Sequence, residues 1–331
     1  MSQGNYIYRL FDIMEEFGDD TDVPWALVYD DQQPQRWSFF RHQDVDGVGL
    51  FINAQASQGV SIAMPLYKGV VPGTLQRLQL AWRKFRTRTP APVRWRQWQP
   101  SADGRVAKHS QLLRGRLLSE AQTAQAIAAA KAQGVTLNSW LLWALNEAVA
   151  PVLTLPQPER AWGNTVNLRG QVKAASPTDN QSSIVTVVLR EGDTARDVHA
   201  NVQQLFQSGV HWGSWDFLST ICKVGPNLVR KQIRRYYGSH NSQMGTFSNL
   251  GVWNWNTDKG EAPYMFFAPC STRTAPVAAA AATLNGRMTL TMGLHPFLAA
   301  TPAQLESMMT RWIELLTGEN AITPAATVST A

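Results

Sequence analysis

The chain has 331 residues, of which 44% are hydrophobic and only 16% are charged, and its formal net charge is +6 at pH 7. A chain of this length and apolar content can bury the core of one large domain or of two closely packed lobes. No window approaches about 18 uninterrupted apolar residues, which excludes a membrane-spanning helix.

The positive charge favours anionic partners, among them CoA phosphates, an acidic carrier protein, anionic lipid and nucleic acid, without choosing among them. Cys222 and Cys270 form neither a disulfide framework nor a metal-site spacing. The N-terminus lacks a basic segment followed by an apolar run, so a secretory signal is not expected. These features together predict a cytoplasmic protein.

The first half of the chain alternates predicted helices and strands. Apolar spacing at 6–17, 48–56 and 74–85 is typical of helices, and residues 25–29, 36–41 and 108–117 are predicted to be extended. Ser119-Glu120-Ala121-Gln122 is a capping-box start for a helix that Gly134 stops near residue 133. A very apolar helix at 137–149 is predicted to end at Pro151.

The second half follows the same alternation. Strands are predicted at 161–168, 183–189, 264–267, 276–284 and 287–293, and helices at 194–206, 227–237 and 302–316. Asn285-Gly286 between the last two strands is the strongest short hairpin signal in the chain. Pro156-Gln157-Pro158 is the predicted boundary between lobes at 1–155 and 156–320, with a flexible tail at 321–331. This organisation predicts an α/β fold of two lobes, each a mixed sheet covered by helices.

The most informative segment is Arg41-His42-Gln43-Asp44-Val45-Asp46-Gly47, which follows an apolar run at 37–40. A strand delivers His42 to a sharp turn, Asp46 follows four residues later, and Gly47 opens a helix. An imidazole held in this way can deprotonate a hydroxyl or an amine, because its intrinsic pKa lies near neutral pH. The alternative is a histidine whose ring is simply satisfied at the end of a strand.

This pattern resembles the His-His-x-x-x-Asp-Gly signature of the CoA-dependent acyltransferase superfamily. That group includes chloramphenicol acetyltransferases, peptide-synthetase condensation domains and wax-ester/diacylglycerol acyltransferases. His42, Asp46 and Gly47 match the signature, and Arg41 stands in place of its first histidine. Four further likenesses follow in the family's order, at Gly134–Ser139, Asn167–Gly170, Asn180-Gln181 and Thr246–Gly251.

The resemblance implies roles for individual residues. His42 would be the general base, while Ser248 and Asn249 would steady the oxyanion. Asp46 and Gly47 would shape the turn, with Arg169 a candidate partner for the Asp46 carboxylate. Asn138 matches one family position and Arg41 could orient the His42 loop. Ser248 and Asn249 could equally form a plain turn, and Arg41 could be a surface arginine.

The resemblance also implies two chloramphenicol-acetyltransferase-like lobes with a tunnel between them. Family members carry much of the first lobe's sheet ahead of the histidine motif, whereas only about forty residues precede His42. We therefore expect a shortened first lobe, or a homo-oligomer in which another subunit completes it.

Two clusters of cations have several interpretations. Arg230, Lys231, Arg234 and Arg235 share one face of a predicted helix, which is most often a solvated face but could dock CoA phosphates or an acidic carrier protein. Cations alternate with aromatic residues at 82–88 and 94–98. This alternation suits a lipid headgroup boundary, although the tryptophans could instead pack inward beneath a basic rim. Binding of single-stranded nucleic acid is the least favoured interpretation.

The sequence therefore predicts transfer of an acyl group from a thioester, on CoA or an acyl carrier protein, to a small-molecule hydroxyl or amine acceptor. No metal or permanently bound cofactor is expected, since His211, His240 and His295 lack metal-type spacing. Two alternatives stay open: an accessory binding module that has lost turnover, and a peripheral membrane acyltransferase with a lipid-linked acceptor.

Overall fold

The computed structural model describes residues 7–29, 33–60, 64–86, 90–238, 242–255 and 263–318. In these ranges the helices are α1 (Ile7–Glu16), α2 (Gly47–Ser57), α3 (Thr74–Arg86), α4 (Glu120–Ala132), α5 (Leu137–Leu153), α6 (Ala195–Gln207), α7 (Val210–Val224), α8 (Pro226–Gly238) and α9 (Pro302–Thr317). The strands are β1 (Asp22–Val28), β2 (Ser38–Arg41), β3 (Leu112–Leu117), β4 (Glu159–Asn167), β5 (Ser182–Arg190), β6 (Gly245–Trp253), β7 (Tyr264–Phe267), β8 (Val277–Leu284) and β9 (Arg287–Leu294).

The strands form two sheets. A small antiparallel sheet has the order β2-β1-β7, and a six-stranded sheet has the order β3-β9-β8-β6-β4-β5. The larger sheet is mixed, because β6 runs parallel to both β4 and β8. Both sheets take strands from both sides of residues 155 and 156, so the division of strands between the sheets does not follow the predicted lobe boundary. The predicted tail lies outside the described residues.

Helices cover the six-stranded sheet, and alternate residues of each strand separate its two faces. Ala279 and Ala281 of β8 face a core shared with α5 and α9, in which Trp162 and Trp312 are fully buried. Ala280 faces the opposite side, where α2 packs with aromatic and aliphatic side chains of β6, of β7 and of the segment after β6. The fold is therefore α/β with sheets covered by helices, and the histidine turn lies on the α2 side of the large sheet.

Local sequence signals correctly located several elements. The predicted capping box is present at Ser119 and Gln122, and Gly134 adopts a φ of +70° after the end of α4. Asn285 and Gly286 have φ values of +46° and +82°, so both central residues of the β8–β9 hairpin are left-handed, as the tight turn requires.

The prediction that α5 ends at Pro151 is wrong, because the helix continues to Leu153. Proline removes one backbone donor and fixes φ near the helical value, so it is tolerated when the hydrogen bonds around it still form. Here the amide of Thr154 donates to the carbonyl of Ala150 at 3.0 Å and closes the final turn.

Two elements were not predicted. Residues 246–251 were expected to form a loop, but they lie in β6, where pairing with β4 and β8 outweighs the turn preference of Ser, Asn and Gly. Helix α7 has no counterpart among the sequence predictions. Its Gly213 allows close packing, since a Cβ there would lie 2.5 Å from the carbonyl oxygen of Leu80 in α3.

Candidate active site

His42 lies in the turn between β2 and α2 and is half-buried. Its Nδ1 lies 3.2 Å from the carbonyl oxygen of Val45, and its ring centroid is 4.5 Å from that of Phe11 in α1. The Nδ2 of Asn180 donates to the His42 carbonyl at 3.5 Å. Because the Val45 carbonyl can only accept, Nδ1 carries the hydrogen in the neutral ring and Nε2 keeps the basic lone pair.

The surroundings of His42 favour its neutral form. Burial lowers the pKa of the imidazole below its usual value, although the Val45 carbonyl and the negative charge of Asp46 oppose this shift. A ring that is unprotonated near neutral pH can accept a proton, which is the requirement for a general base.

Asp46 is the most heavily bonded carboxylate of this region. It caps α2 by accepting from the amide of Gly49 at 2.9 Å. Nη1 and Nη2 of Arg169 donate to its two oxygens at 2.9 and 2.5 Å. The amide of Gln181 and the hydroxyl of Ser182 add bonds of 3.0 and 2.7 Å. The carboxylate is therefore fully occupied in holding the turn.

The Arg169 side chain is equally buried, with 1% exposure against 2% for Asp46. Its remaining donors bond to the carbonyls of Pro177 and Asp179 and to the side-chain oxygen of Asn167. Removing one member of such a pair typically costs about 3–5 kcal/mol, because the other charge is left buried without a partner. The pair fixes the end of β4 against the start of α2.

Glycines allow the close approach around this pair. A Cβ on Gly49 would lie 1.9 Å from the carbonyl oxygen of Thr178, and one on Gly47 would lie 2.8 Å from the Phe267 ring. The same Gly47 position is 3.4 Å from Leu250, the residue directly after Ser248 and Asn249. The β6 segment therefore contacts the first turn of α2.

Ser248 and Asn249 are neighbours in β6 but are aligned with opposite faces of the sheet. Ser248 pairs with Ala280 on the α2 side, whereas Asn249 pairs with Ala281 on the α5 side, just before a register shift. Ser248 Oγ accepts from the Thr165 hydroxyl at 3.0 Å and keeps its own proton to donate. Asn249 accepts from the Gly251 amide at 2.9 Å and supports the irregular end of the strand.

Two polar side chains of β4, Asn167 and Thr165, lie between the buried ion pair and Ser248. Asn167 bonds to Arg169, Thr165 lies on the same face one alternate position back along β4, and Ser248 bonds to Thr165 on the adjacent strand. Same-face neighbours along a strand are separated by about 7 Å, so Ser248 lies on the same face of the sheet as the Asn167 side chain that bonds to Arg169.

Two other candidates make no contact with the Asp46–Arg169 pair. Asn138 is in the first turn of α5. Its neighbour Ser139 bonds to His199 of α6, which follows the end of β5 that is remote from the His42 turn. The side chain of Arg41 is 56% exposed and lies 3.4 Å from Asp12 in α1. It is therefore on the surface beside the turn.

Two of the cations of α8 contact neighbouring residues, and the other two are exposed to solvent. Arg230 forms two bonds of 2.7 Å with the carboxylate of Glu16 in α1, and Arg234 lies 5.8 Å from the Phe17 ring. Lys231 and Arg235 are exposed. The predicted basic helix exists, and at least one of its arginines is committed to α1.

A cavity of about 940 Å³ lies between the segment 66–83, the end of β4 and the junction of α6 with α7. Asn167, two residues before Arg169, is part of its wall, whereas His42 is not. A passage between lobes at His42 stays a prediction.

Two residues that contact the turn from distant elements, Phe11 and Ser182, were not predicted from the sequence. Phe11 packs on the His42 ring from 31 positions away, and nothing in the local pattern signals this contact. Ser182 donates to Asp46 because the ends of β4 and β5 lie side by side, with Asn167 paired to Ser182. Its only sequence signal was its position directly after Asn180-Gln181.

In the described part of the chain, no group of three or more His, Cys, Asp or Glu side chains could hold a metal ion, and no helix is long and apolar enough to cross a membrane. His240 lies outside the described residues.

The same fold occurs in several solved structures. The epimerization domain from the third module of tyrocidine synthetase B has a TM-score of 0.54 and 18% identity, over 85% of this chain and 67% of that one. The TRI3 trichothecene 15-O-acetyltransferase from Fusarium sporotrichioides has a TM-score of 0.54 and 12% identity, over 82% and 63%. A condensation domain that mediates chain release from the enacyloxin polyketide synthase has a TM-score of 0.51 and 14% identity, over 88% and 59%.

These neighbours show that the chain has the fold of condensation domains and chloramphenicol-acetyltransferase-like enzymes, as the histidine motif implied. No protein-family model matches the sequence, and no curated protein is detectably similar to it. The chain spans 59–67% of the length of these three neighbours. Completion of the first lobe by a second subunit stays a prediction, as does a cytoplasmic location.

Proposed function

We propose that the protein transfers an acyl group from a thioester to a hydroxyl or amine acceptor, with His42 as the general base. The observation that carries this proposal is the His42 turn. Its imidazole has Nδ1 on a carbonyl and a pKa held below the usual range, and the Asp46–Arg169 pair fixes its backbone. The fold alone does not choose this chemistry, since one of its neighbours is an epimerization domain.

In the proposed reaction, Nε2 of His42 takes the proton of the acceptor as its oxygen or nitrogen attacks the thioester carbonyl. The carbon–sulfur bond then breaks, and the imidazolium returns the proton to the leaving thiolate. The products are an ester or amide and a free thiol. No acyl-enzyme is needed, so no activated serine or cysteine is required.

Ser248 is the proposed donor to the tetrahedral oxyanion. Its Oγ is held by the Thr165 hydroxyl and its proton is free to point toward developing negative charge. Loss of one such donor commonly costs about 10²–10³-fold in rate. Asn249, on the other face of β6, is proposed to shape the strand.

The donor is proposed to be acyl-CoA or an acylated carrier protein. The neighbours from tyrocidine synthetase B and the enacyloxin polyketide synthase support the carrier-protein form. The exposed cations Lys231 and Arg235 of α8 would attract the acidic surface of a carrier protein or the phosphates of CoA.

The decisive experiment measures thiol release from a panel of acyl-CoAs and acylated carrier proteins, each with alcohol and amine acceptors. Since general-base catalysis contributes about 10²–10⁴-fold, His42→Ala should lose at least a hundredfold in kcat/KM while unfolding at the same temperature. His199→Ala, which removes another half-buried imidazole on α6, is the matched control and should retain activity.

Two results would reject the proposal. Full activity of His42→Ala would remove its chemical basis. Absence of turnover with every substrate pair, together with retained binding of a thioester, would identify the protein as an accessory binding module, the alternative that Arg41 in the histidine position favours.

A further inference from the structure

Exposed apolar side chains are concentrated in one short part of the molecule. In the described part of the chain, six of the twelve exposed large hydrophobic side chains lie between residues 66 and 82. Three of them form a stripe on α3 at positions i, i+3 and i+7: Leu75 is 76% exposed, Leu78 is 63% exposed and Trp82 is 60% exposed. Residues at this spacing share one helix face, so the stripe is continuous.

The opposite face of α3 is held firmly against α7. Arg77 bonds to both carboxylate oxygens of Asp216 at 2.8 and 2.5 Å, and its guanidinium lies 4.9 Å from the Trp212 ring. Gly213 allows the two helices to approach closely at Leu80. The outward direction of the stripe is therefore fixed by packing of the inner face.

Leu66, Val70 and Val71, in the segment before α3, are also exposed. We call these residues, the Leu75–Leu78–Trp82 stripe and the exposed cations Lys68, Arg83 and Arg86 the α3 surface. The guanidinium of Arg86 lies 6.0 Å from the Trp82 ring, so a cation and an indole are presented together.

The charged residues in the sequence around this surface have one sign. No aspartate or glutamate occurs between Asp46 and Asp103, while eight lysines and arginines do. This stretch contributes +8, so the rest of the chain, which brings the total to +6, has a small negative balance. The positive charge of the protein is therefore concentrated in the part of the sequence that carries the exposed apolar stripe.

We propose that the α3 surface docks the protein on an anionic lipid bilayer. An amphipathic helix with leucine and tryptophan on one face and flanking cations lies in the interface plane, with its apolar face in the headgroup boundary. Anionic lipid attracts the cations, and the indole sits well at headgroup level. A nucleic acid would use the cations but not the aliphatic stripe, and the core of a protein interface is usually depleted of charge.

The cavity of about 940 Å³ shares Leu66, Val70, Leu80 and Arg83 with this region. Docking would bring the bilayer beside the cavity, whose wall reaches Asn167 near the Asp46–Arg169 pair. The docking proposal itself does not depend on catalysis, so it can be tested on a protein with no known substrate.

The test is flotation of the full chain with vesicles of phosphatidylcholine alone and of phosphatidylcholine mixed with phosphatidylglycerol. We expect binding to the mixed vesicles, weakening as salt is added because exposed charges are screened. The variants Leu75→Gln/Leu78→Gln and Arg83→Gln/Arg86→Gln should each weaken partitioning by about tenfold or more. All four side chains are exposed, and unfolding temperatures measured for each variant show that lost partitioning is not lost folding.

The matched control is Lys231→Gln/Arg235→Gln, which removes the same charge from α8, where Leu228 and Tyr236 are only 39% and 41% exposed and form no stripe like that of α3. It should weaken binding by less than about twofold. An equal loss in the α8 and α3 variants would mean nonspecific charge attraction and would overturn the proposal, as would wild-type binding to neither vesicle. The α3 surface could instead bind a second copy of the chain, and sedimentation without lipid tests this. A wild-type dimer that becomes a monomer in Leu75→Gln/Leu78→Gln would assign the surface to a second copy and overturn the proposal.

Discussion

The histidine turn is anchored in very different ways at its two ends. After His42, Asp46 is buried and accepts bonds from Gly49, Arg169, Gln181 and Ser182. Before His42, the backbone of Arg41 pairs with Asp22 of β1, but its side chain makes a 3.4 Å contact between two largely exposed groups, with Asp12. The side chain after His42 in the motif is therefore held much more firmly than the side chain before it, and the side chain at position 41 is open to substitution.

The largest effect is expected from breaking the buried end. Arg169→Met and Asp46→Asn should each lower the free energy of unfolding by about 3–5 kcal/mol, because each leaves a buried group without its partner. The double variant should lose less than the sum of the two, since it leaves no lone buried charge. Urea unfolding at neutral pH measures all three.

Arg230→Met is the matched control, because Arg230 makes the same two-bond contact with Glu16 at the surface. It should cost far less than either buried substitution, because exposed ion pairs are screened by water. Additive losses from the two buried substitutions would contradict the coupling inferred between Asp46 and Arg169.

The difference between the two ends also shows which parts of the site the sequence could supply. Residue type and spacing were enough to single out His42 and Asp46, and the family resemblance added Arg169 as a candidate partner for the carboxylate. They could not supply Phe11 or Ser182, whose contacts with the turn depend on how distant elements pack. Their positions depend on which helices and strands lie side by side, and a single sequence does not show this.

The same distinction applies to the fold. The α4 capping box and the Asn285-Gly286 turn were predictable because their hydrogen bonds and φ angles are local. β6 was not, since Ser248 and Asn249 favour turns locally and become strand residues only by pairing with β4 and β8. Strand alternation then separated Ser248 from Asn249, which the loop interpretation had placed together.

The second prediction concerns the ring between the two ends. Because burial holds the pKa of His42 below 6.5, the proposed base loses its lone pair only when the pH falls below that value. The acid limb of kcat/KM should therefore have its midpoint below pH 6.5, with activity constant above it until other groups titrate. Samples returned from low to neutral pH should recover full activity, which excludes acid unfolding as the cause.

A midpoint at or above 6.5 in the free enzyme would contradict the burial argument. It would mean that the charge of Asp46 and the Val45 carbonyl, which both raise the pKa of His42, outweigh burial. An imidazole resonance followed by NMR through the same pH range gives the value without a substrate.

The smallest effect is expected at the exposed end. Arg41→Gln should change the free energy of unfolding by less than about 1 kcal/mol, because an exposed ion pair gains little beyond the cost of ordering its side chains. It should also leave the acid limb of kcat/KM in place, since Arg41 is not among the groups that shift the pKa of His42. Arg41→His, which restores the two-histidine form of the motif, should give no gain in activity for the same reason. A change of tenfold or more in kcat/KM for either variant would show that Arg41 helps to position the imidazole. The difference in how firmly the Asp46 and Arg41 side chains are held would then have no counterpart in their contributions to activity.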